Sequence, residues 1–392
     1  MRVAIAHDYL NQMGGAEKVV ETFHDMFPSA PIYTSVCVPS AISEKLRGAD
    51  IKTSFMQKLP FIRKFARHYL ASYPYAFELF DFSGYDVVLS SSSAFAKGVI
   101  TGPDTCHICY CHTPMRFAWN YYAYTERERL SAPVRLLLPY VVHRVRRWDE
   151  VTANRVDHYV ANSHEVERRI RKYYRRRSTV IFPPVETHRF TVSEQDEGYF
   201  VIISRLHAYK KVDIAIEAAT KLHIPLKVIG AGRDEKRLKG LAGPTVEFLG
   251  RLSDDQIVDC LASSRALIFP GREDFGIVPV EAMACGKPVI AYGRGGALDT
   301  VIEGITGAFF NEQTTESLAE ALAAFCPDDF NPYTIRRHAE TFDVSVFRHK
   351  INEFIEEKLD QHISQYRSPE PDAFEEVVAP VRYEVEVEAK PV

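Results

Sequence analysis

At 392 residues the chain exceeds what one ordinary hydrophobic core supports, and about 100–200 residues per domain asks for two domains or one large barrel. With 46% hydrophobic and 26% charged residues its composition is globular, which excludes a collagen-like, coiled-coil or wholly unstructured chain. The net charge of −4 conceals a division: residues 1–190 carry 26 Lys and Arg against 18 Asp and Glu, while residues 191–392 carry 22 against 34.

In chain order, β-rich runs at 3–8, 32–36, 51–55, 87–91, 106–112, 159–162 and 180–182 predict strands, with helical patterns at 16–26 and 134–156. After Pro183-Pro184 comes a polar stretch, 186–198, with no core face. It reads as a linker between residues 1–185 and a second domain at 199–345. The pattern then restarts, with strands predicted at 200–204, 226–229, 246–249, 266–269, 289–291 and 308–310 and helices at 211–222, 234–241, 254–262, 277–285 and 316–325. Such alternation predicts α/β architecture: two Rossmann-like domains, each a parallel sheet wrapped by helices, with ligand held in the cleft between them. Phe347, Ile351, Phe354, Ile355 and Leu359 share one helical face, and a helix is expected within 346–366. The Pro/Glu/Val-rich tail 367–392 reads as acidic and disordered, although the alternation at 381–387 also suits an edge strand.

The 134–142 run is broken by Arg135 and Pro139, and Val3, Ile5 and Ala6 run straight into His7 and Asp8, so neither a bilayer span nor a signal peptide is expected. Seven cysteines without paired spacing fit a reducing, cytoplasmic setting. Cys106, Cys109, Cys111 and His112 are close in sequence, but strand alternation puts Cys106 on the opposite face from Cys109 and Cys111. They read as a buried strand and no metal is expected. The basic residues form no dense stripe with stacking aromatics, so nucleic acid is not an expected partner. The basic segments 62–70 and 168–177 suit an anionic membrane surface or a solvated helix face.

Four features carry chemistry. Glu273-Asp274-Phe275-Gly276 opens a helix, and Glu281 follows eight residues after Glu273; free amides from Gly276 through Ile277 to Val278 suit a diphosphate, with a carboxylate on either side for hydroxyls. Arg205 and Lys210 follow the second domain's first strand, where cations can bracket the same diphosphate. Gly14-Gly15 follows the chain's first strand and suits close approach to a phosphate or sugar, or an ordinary turn. His112 ends a strand before Thr113-Pro114-Met115-Arg116, as a core histidine or a ligand contact. Neither a Walker A sequence nor a complete dinucleotide fingerprint is present.

In this order the four features resemble the retaining GT-B glycosyltransferases of family 4, over roughly residues 1–360, and the His112 stretch is similar to the bacterial O-antigen and exopolysaccharide branch, often mannosyltransferases. The resemblance implies two domains facing a central cleft and a C-terminal helix crossing back to the first. It implies that Arg205 and Lys210 bind the diphosphate, Glu273 the sugar hydroxyls and Glu281 the ribose, with His112 on the sugar and Gly15 on the phosphate. Phe275 would belong to the donor loop, and the backbone near Arg251 would face the base. GDP-mannose is the expected donor, with UDP-glucose or a UDP-N-acetylhexosamine as alternatives. The expected acceptor is a glycan or a polyprenyl-linked glycan at the inner face of the cell membrane. No cofactor is expected. A phosphorylase, an epimerase and a catalytically silent nucleotide-sugar-binding subunit share the architecture.

Overall fold

The computed structural model describes residues 1–62, 66–120 and 132–366. The tail 367–392, with its candidate strand 381–387, and residues 63–65 of the first basic segment lie outside the described residues.

The first domain holds β1 (Val3–His7), β2 (Ile32–Thr34), β3 (Ile51–Thr53), β4 (Val87–Ser92), β5 (Cys106–Cys111), β6 (His158–Ala161) and β7 (Thr179–Val180), in the order 3-2-1-4-5-6-7. The second holds β8 (Phe200–Ile203), β9 (Leu226–Ile229), β10 (Val246–Gly250), β11 (Ala266–Phe269), β12 (Val289–Tyr292) and β13 (Gly307–Phe310), in the order 10-9-8-11-12-13. Every pairing is parallel. In each sheet the winding reverses beside the domain's first strand, opening a crevice at the carboxyl edge. β1, β4 and β5 are buried throughout, as strands covered by helices on both faces must be.

Helices α1 (Gly15–Met26), α2 (Ala132–Thr152), α3 (His164–Arg169), α4 (Val212–Leu222), α5 (Ile277–Ala284) and α6 (Val344–Tyr366) matter most below. α2 ends earlier than its hydrophobic pattern predicts, passing into a 3₁₀ turn at Ala153–Arg155. α6 is longer than its apolar face. Of the strand expected at 180–182, only Val180 belongs to β7; Phe182 stacks instead on Phe275, with ring centroids 5.5 Å apart. Cys106 joins one core cluster, and Cys109 and Cys111 another, as alternation requires.

Helix α6 leaves the second domain and buries Phe347, Ile351, Phe354 and Ile355 in the first domain's core, with Phe347 stacked on Phe23. Each such side chain contributes about 1.5–3 kcal/mol by leaving water. The chain thus crosses between domains twice, and the crossings touch. Val185 N donates to Phe342 O at 3.1 Å, Val344 N donates to Val185 O at 3.0 Å, and the Thr187 hydroxyl donates to Asp343 Oδ2.

Candidate functional site

Because both sheets are parallel, their carboxyl edges bring distant segments to one cleft. On the first domain these are the ends of β1, β4 and β5. Register pairs His7 with Ser91, and His112 directly follows β5. His7 Nδ1 lies 3.0 Å from the Ser91 carbonyl oxygen, which only accepts, so Nδ1 carries a proton. The Ser91 hydroxyl lies 3.1 Å from the same Nδ1 and 2.8 Å from His112 Nε2, so it bridges the two imidazoles. Behind His7, Glu17 Oε1 stands 3.8 Å from Nε2. Burial opposes a charge on His7, but Glu17 and then Asp8 override it and hold the imidazole above its usual value. His112 goes the other way: burial first, then the neighbouring His7, pushes it down to about 3, so it is a neutral imidazole.

Asp8, next along β1, is occupied otherwise. Its two oxygens accept the backbone N–H groups of Ser93, Ala94, Phe95 and Ala96, which fixes the loop after β4.

On the second domain, β8 delivers Arg205 and Lys210, and β11 delivers the Glu273 loop. Arg205 is exposed, with its guanidinium 3.4 Å from the Tyr209 hydroxyl. Lys210 and Glu273 are in direct contact, so the predicted phosphate cation and the predicted sugar carboxylate face each other. Gly296 N holds the loop from behind by donating to Glu273 O at 2.9 Å. Gly276 has a φ of +101°, a left-handed turn that frees the first amides of α5 toward the cleft. Glu281, one face along α5, has Lys18 Nζ 3.8 Å away across the cleft, and burial pushes its carboxyl upward against that cation. Phe275 is 3% exposed, stacked on Phe182 and edge-on to Phe342, so only its backbone is available to a ligand. Ile277 and Val278 are half-buried, and Arg251 is exposed just after β10.

Gly14 and Gly15 start α1 on the opposite wall. A Cβ on Gly15 would sit 2.8 Å from Ile277 Cδ1, so the start of α1 and the start of α5 face each other closely here. The structure therefore gathers Gly14, Gly15, His112, Arg205, Lys210, Glu273, Glu281 and the α5 amides around one cleft, while Arg251 follows β10, the outer strand of the second sheet.

An ionic cluster spanning the cleft was not foreseen. Asp274 is buried between two arginines of the first domain: Arg116 Nε donates at 3.1 Å and Arg169 donates at 2.6 Å. Burial opposes the charge, but the two guanidiniums hold the Asp274 carboxyl below its usual range. Arg169 also donates to Glu165, which receives Arg272 from the second domain at 2.8 Å. Nearby, His164 Nδ1 is 2.7 Å from Asp299 Oδ1. Arg116 and Asp274 adjoin recognised motifs, and that adjacency was the available signal. Arg169 sits inside the run 168–177, where spacing alone cannot separate a cleft arginine from a lipid-facing one.

Two Rossmann-like domains facing across such a cleft define the GT-B class of glycosyltransferases. Residues 13–189 match the model for Glycosyltransferase Family 4 and residues 185–363 the model for Glycosyl transferases group 1. The chain belongs to this family. It is 36% identical over 141 residues to the GDP-mannose-dependent monoacylated alpha-(1-6)-phosphatidylinositol monomannoside mannosyltransferase of Corynebacterium glutamicum, covering 32% of this chain and 37% of the relative. It is 24% identical over 236 residues to the alpha-1,3/1,6-mannosyltransferase ALG2 of Dictyostelium discoideum, covering 47% and 56%. The chain spans about half the length of the curated relatives it matches. Anabaena Alr3699/HepE, solved with UDP, superposes with a TM-score of 0.68 at 18% identity over 91% of this chain and all of that one. Sucrose-phosphate synthase from Thermosynechococcus elongatus gives 0.72 at 15% identity, over 92% of this chain and 100% of that one. Among the described residues no helix is long and apolar enough to cross a membrane.

Proposed function

We propose that this chain is a retaining glycosyltransferase that moves a hexose, mannose from GDP-mannose, onto a glycan or lipid-linked glycan in cell-surface polysaccharide synthesis. The observation that carries the reading is the meeting of Arg205, Lys210, Glu273, Glu281 and the α5 amides at one sheet edge, opposite Gly15 and His112. In this reading donor entry separates Lys210 from Glu273: the ammonium turns to the diphosphate and the carboxylate to the sugar hydroxyls. The anomeric carbon–oxygen bond breaks toward the nucleoside diphosphate, whose growing charge Arg205, Lys210 and the amides stabilise in place. His112, held neutral by burial, hydrogen-bonds a sugar hydroxyl.

A double displacement needs a free carboxylate on the far face. On the first domain's wall Asp8 already accepts four backbone N–H groups and Glu17 is paired with His7. This favours same-face attack, in which the acceptor oxygen bonds to the anomeric carbon and its proton passes to the departing phosphate. A lipid-linked acceptor, and peripheral attachment to an anionic surface, suit α2, which exposes Leu136, Leu137 and Tyr140 beside Arg144 and Arg147. Mannose draws on the Corynebacterium relative. A UDP-sugar donor is the second reading, because HepE was solved with both UDP and UDP-glucose.

A thermal-shift panel of GDP- and UDP-sugars separates the two donors, since ligand bound only by the folded state raises its midpoint. Stabilisation by GDP-mannose is expected, and stabilisation by UDP-sugars alone would overturn the mannose assignment. Proton NMR of the first product should show the donor's anomeric configuration; inversion would overturn same-face attack. Lys210→Ala should lower kcat by about 10²–10³.

A further inference from the structure

On the far side of the first domain, at the amino edge of its sheet, three metal-ligating side chains converge from separate parts of the chain. Cys106 opens β5, Asp157 immediately precedes β6, and His362 reaches back from the last turns of α6. Their ligand atoms all lie within 4.8 Å of one another. Cys106 is fully buried and His362 is 5% exposed.

The histidine makes the cluster more than a coincidence of residue types. His362 Nε2 lies 2.9 Å from the Pro103 carbonyl oxygen, which only accepts, so the proton is on Nε2. Nδ1 is then a lone pair. It is buried without a hydrogen-bond partner, and a carboxylate oxygen, Asp157 Oδ2, stands 3.9 Å away. A lone pair facing a carboxylate is an unfavourable arrangement that a cation between them resolves. An imidazole whose other nitrogen donates to a carbonyl is also how metal-bound histidines are oriented. Asp157 is held in turn by the His107 N–H at 2.8 Å.

We propose that Cys106, Asp157 and His362 bind one divalent d-block cation of borderline softness, zinc foremost, which fastens α6 to the first domain. One sulfur, one nitrogen and one oxygen suit zinc and leave a fourth tetrahedral position for water. Bond lengths of about 2.0–2.3 Å place tetrahedral ligand atoms roughly 3.3–3.6 Å apart, so Nδ1 and Oδ2, now 3.9 Å apart, need only a small contraction. Cys106 releases its proton to solvent, and thiolate and carboxylate together neutralise the ion. The site lies at the sheet edge opposite the cleft, takes no part in sugar transfer, and is independent of the function proposed above.

The test is a cobalt(II) titration of the full chain after treatment with a chelator. A thiolate-to-cobalt charge-transfer band should saturate at one equivalent and be displaced by zinc. Cys106→Ser should abolish it, His362→Ala should weaken binding at least ~10-fold, and Cys326→Ser, an exposed thiol, should leave it unchanged. Zinc should raise the melting temperature of the natural chain and not of His362→Ala, which lies beyond the core residues of α6 and carries the test if Cys106→Ser fails to fold. No band at one equivalent, or an undiminished band in folded Cys106→Ser or in His362→Ala, overturns the proposal and leaves a His–Asp ion pair.

Discussion

Two histidines joined by one serine hydroxyl, His7 and His112, are pushed in opposite directions. His112 has a usual value of 6.5 and is lowered to about 3 in the fold. Between those values the unfolded chain binds a proton that the folded chain refuses, so stability falls as pH drops from about 6.5 toward 3. His107, lowered to about 4 chiefly by burial, acts in the same sense. His7 acts oppositely, because its raised value favours the folded state below pH 6.5 and that contribution fades as pH rises through it. Urea midpoints measured across this acidic window should therefore decline, and His112→Asn should flatten the decline; an unchanged slope would place His112 in water rather than behind the cleft. His7 and Glu17 escaped sequence reasoning because the β1–β4 register that aligns His7 with Ser91 is a pairing across more than eighty residues. His112 was legible because a histidine followed by Thr-Pro marks a strand end locally.

At the level of elements, the loop after β4 is pinned to α2 by a buried lysine. Lys97, 1% exposed, donates to the Asp149 carbonyl at 2.8 Å and to Thr152, pairs with the Asp149 carboxylate at 3.0 Å, and lies over the Trp148 and Tyr174 rings. Asp149 also accepts from Trp119 and Tyr174. Lys97→Met would keep the volume and strand the carboxylate, so it should cost about 3–5 kcal/mol in denaturant unfolding. A loss below about 1 kcal/mol would show the pair to be solvated. Most strands were readable as short apolar runs between turn residues, and the restart after Pro183-Pro184 announced the second sheet. What was not readable is burial of charge: Lys97 and Asp149 look like surface residues until α2 is laid across the loop. The last strand was misjudged for a related reason, since Phe182 is apolar on account of Phe275 and Phe342 and not of a sheet neighbour.

Across the whole molecule, Asp274 is the main ionic contact between the walls. Asp274→Asn leaves Arg116 and Arg169, which are partly exposed, without their shared charge, a change of about 1–3 kcal/mol. The free variant should populate a more open form, seen as a larger radius of gyration by small-angle scattering. High salt should change the natural chain less, because buried pairs are weakly screened. Identical scattering for both chains would mean that the walls are held by packing alone.

The paired crossings at Val185 and Asp343 restrict what opening can mean. Two separate linkers would let one domain swing through a cone of directions. Here the outgoing and returning strands share backbone hydrogen bonds at one point, Val185 with Phe342 and Val344. The two passages between the domains are therefore tied together at that point, and they cannot move apart from one another without breaking backbone hydrogen bonds.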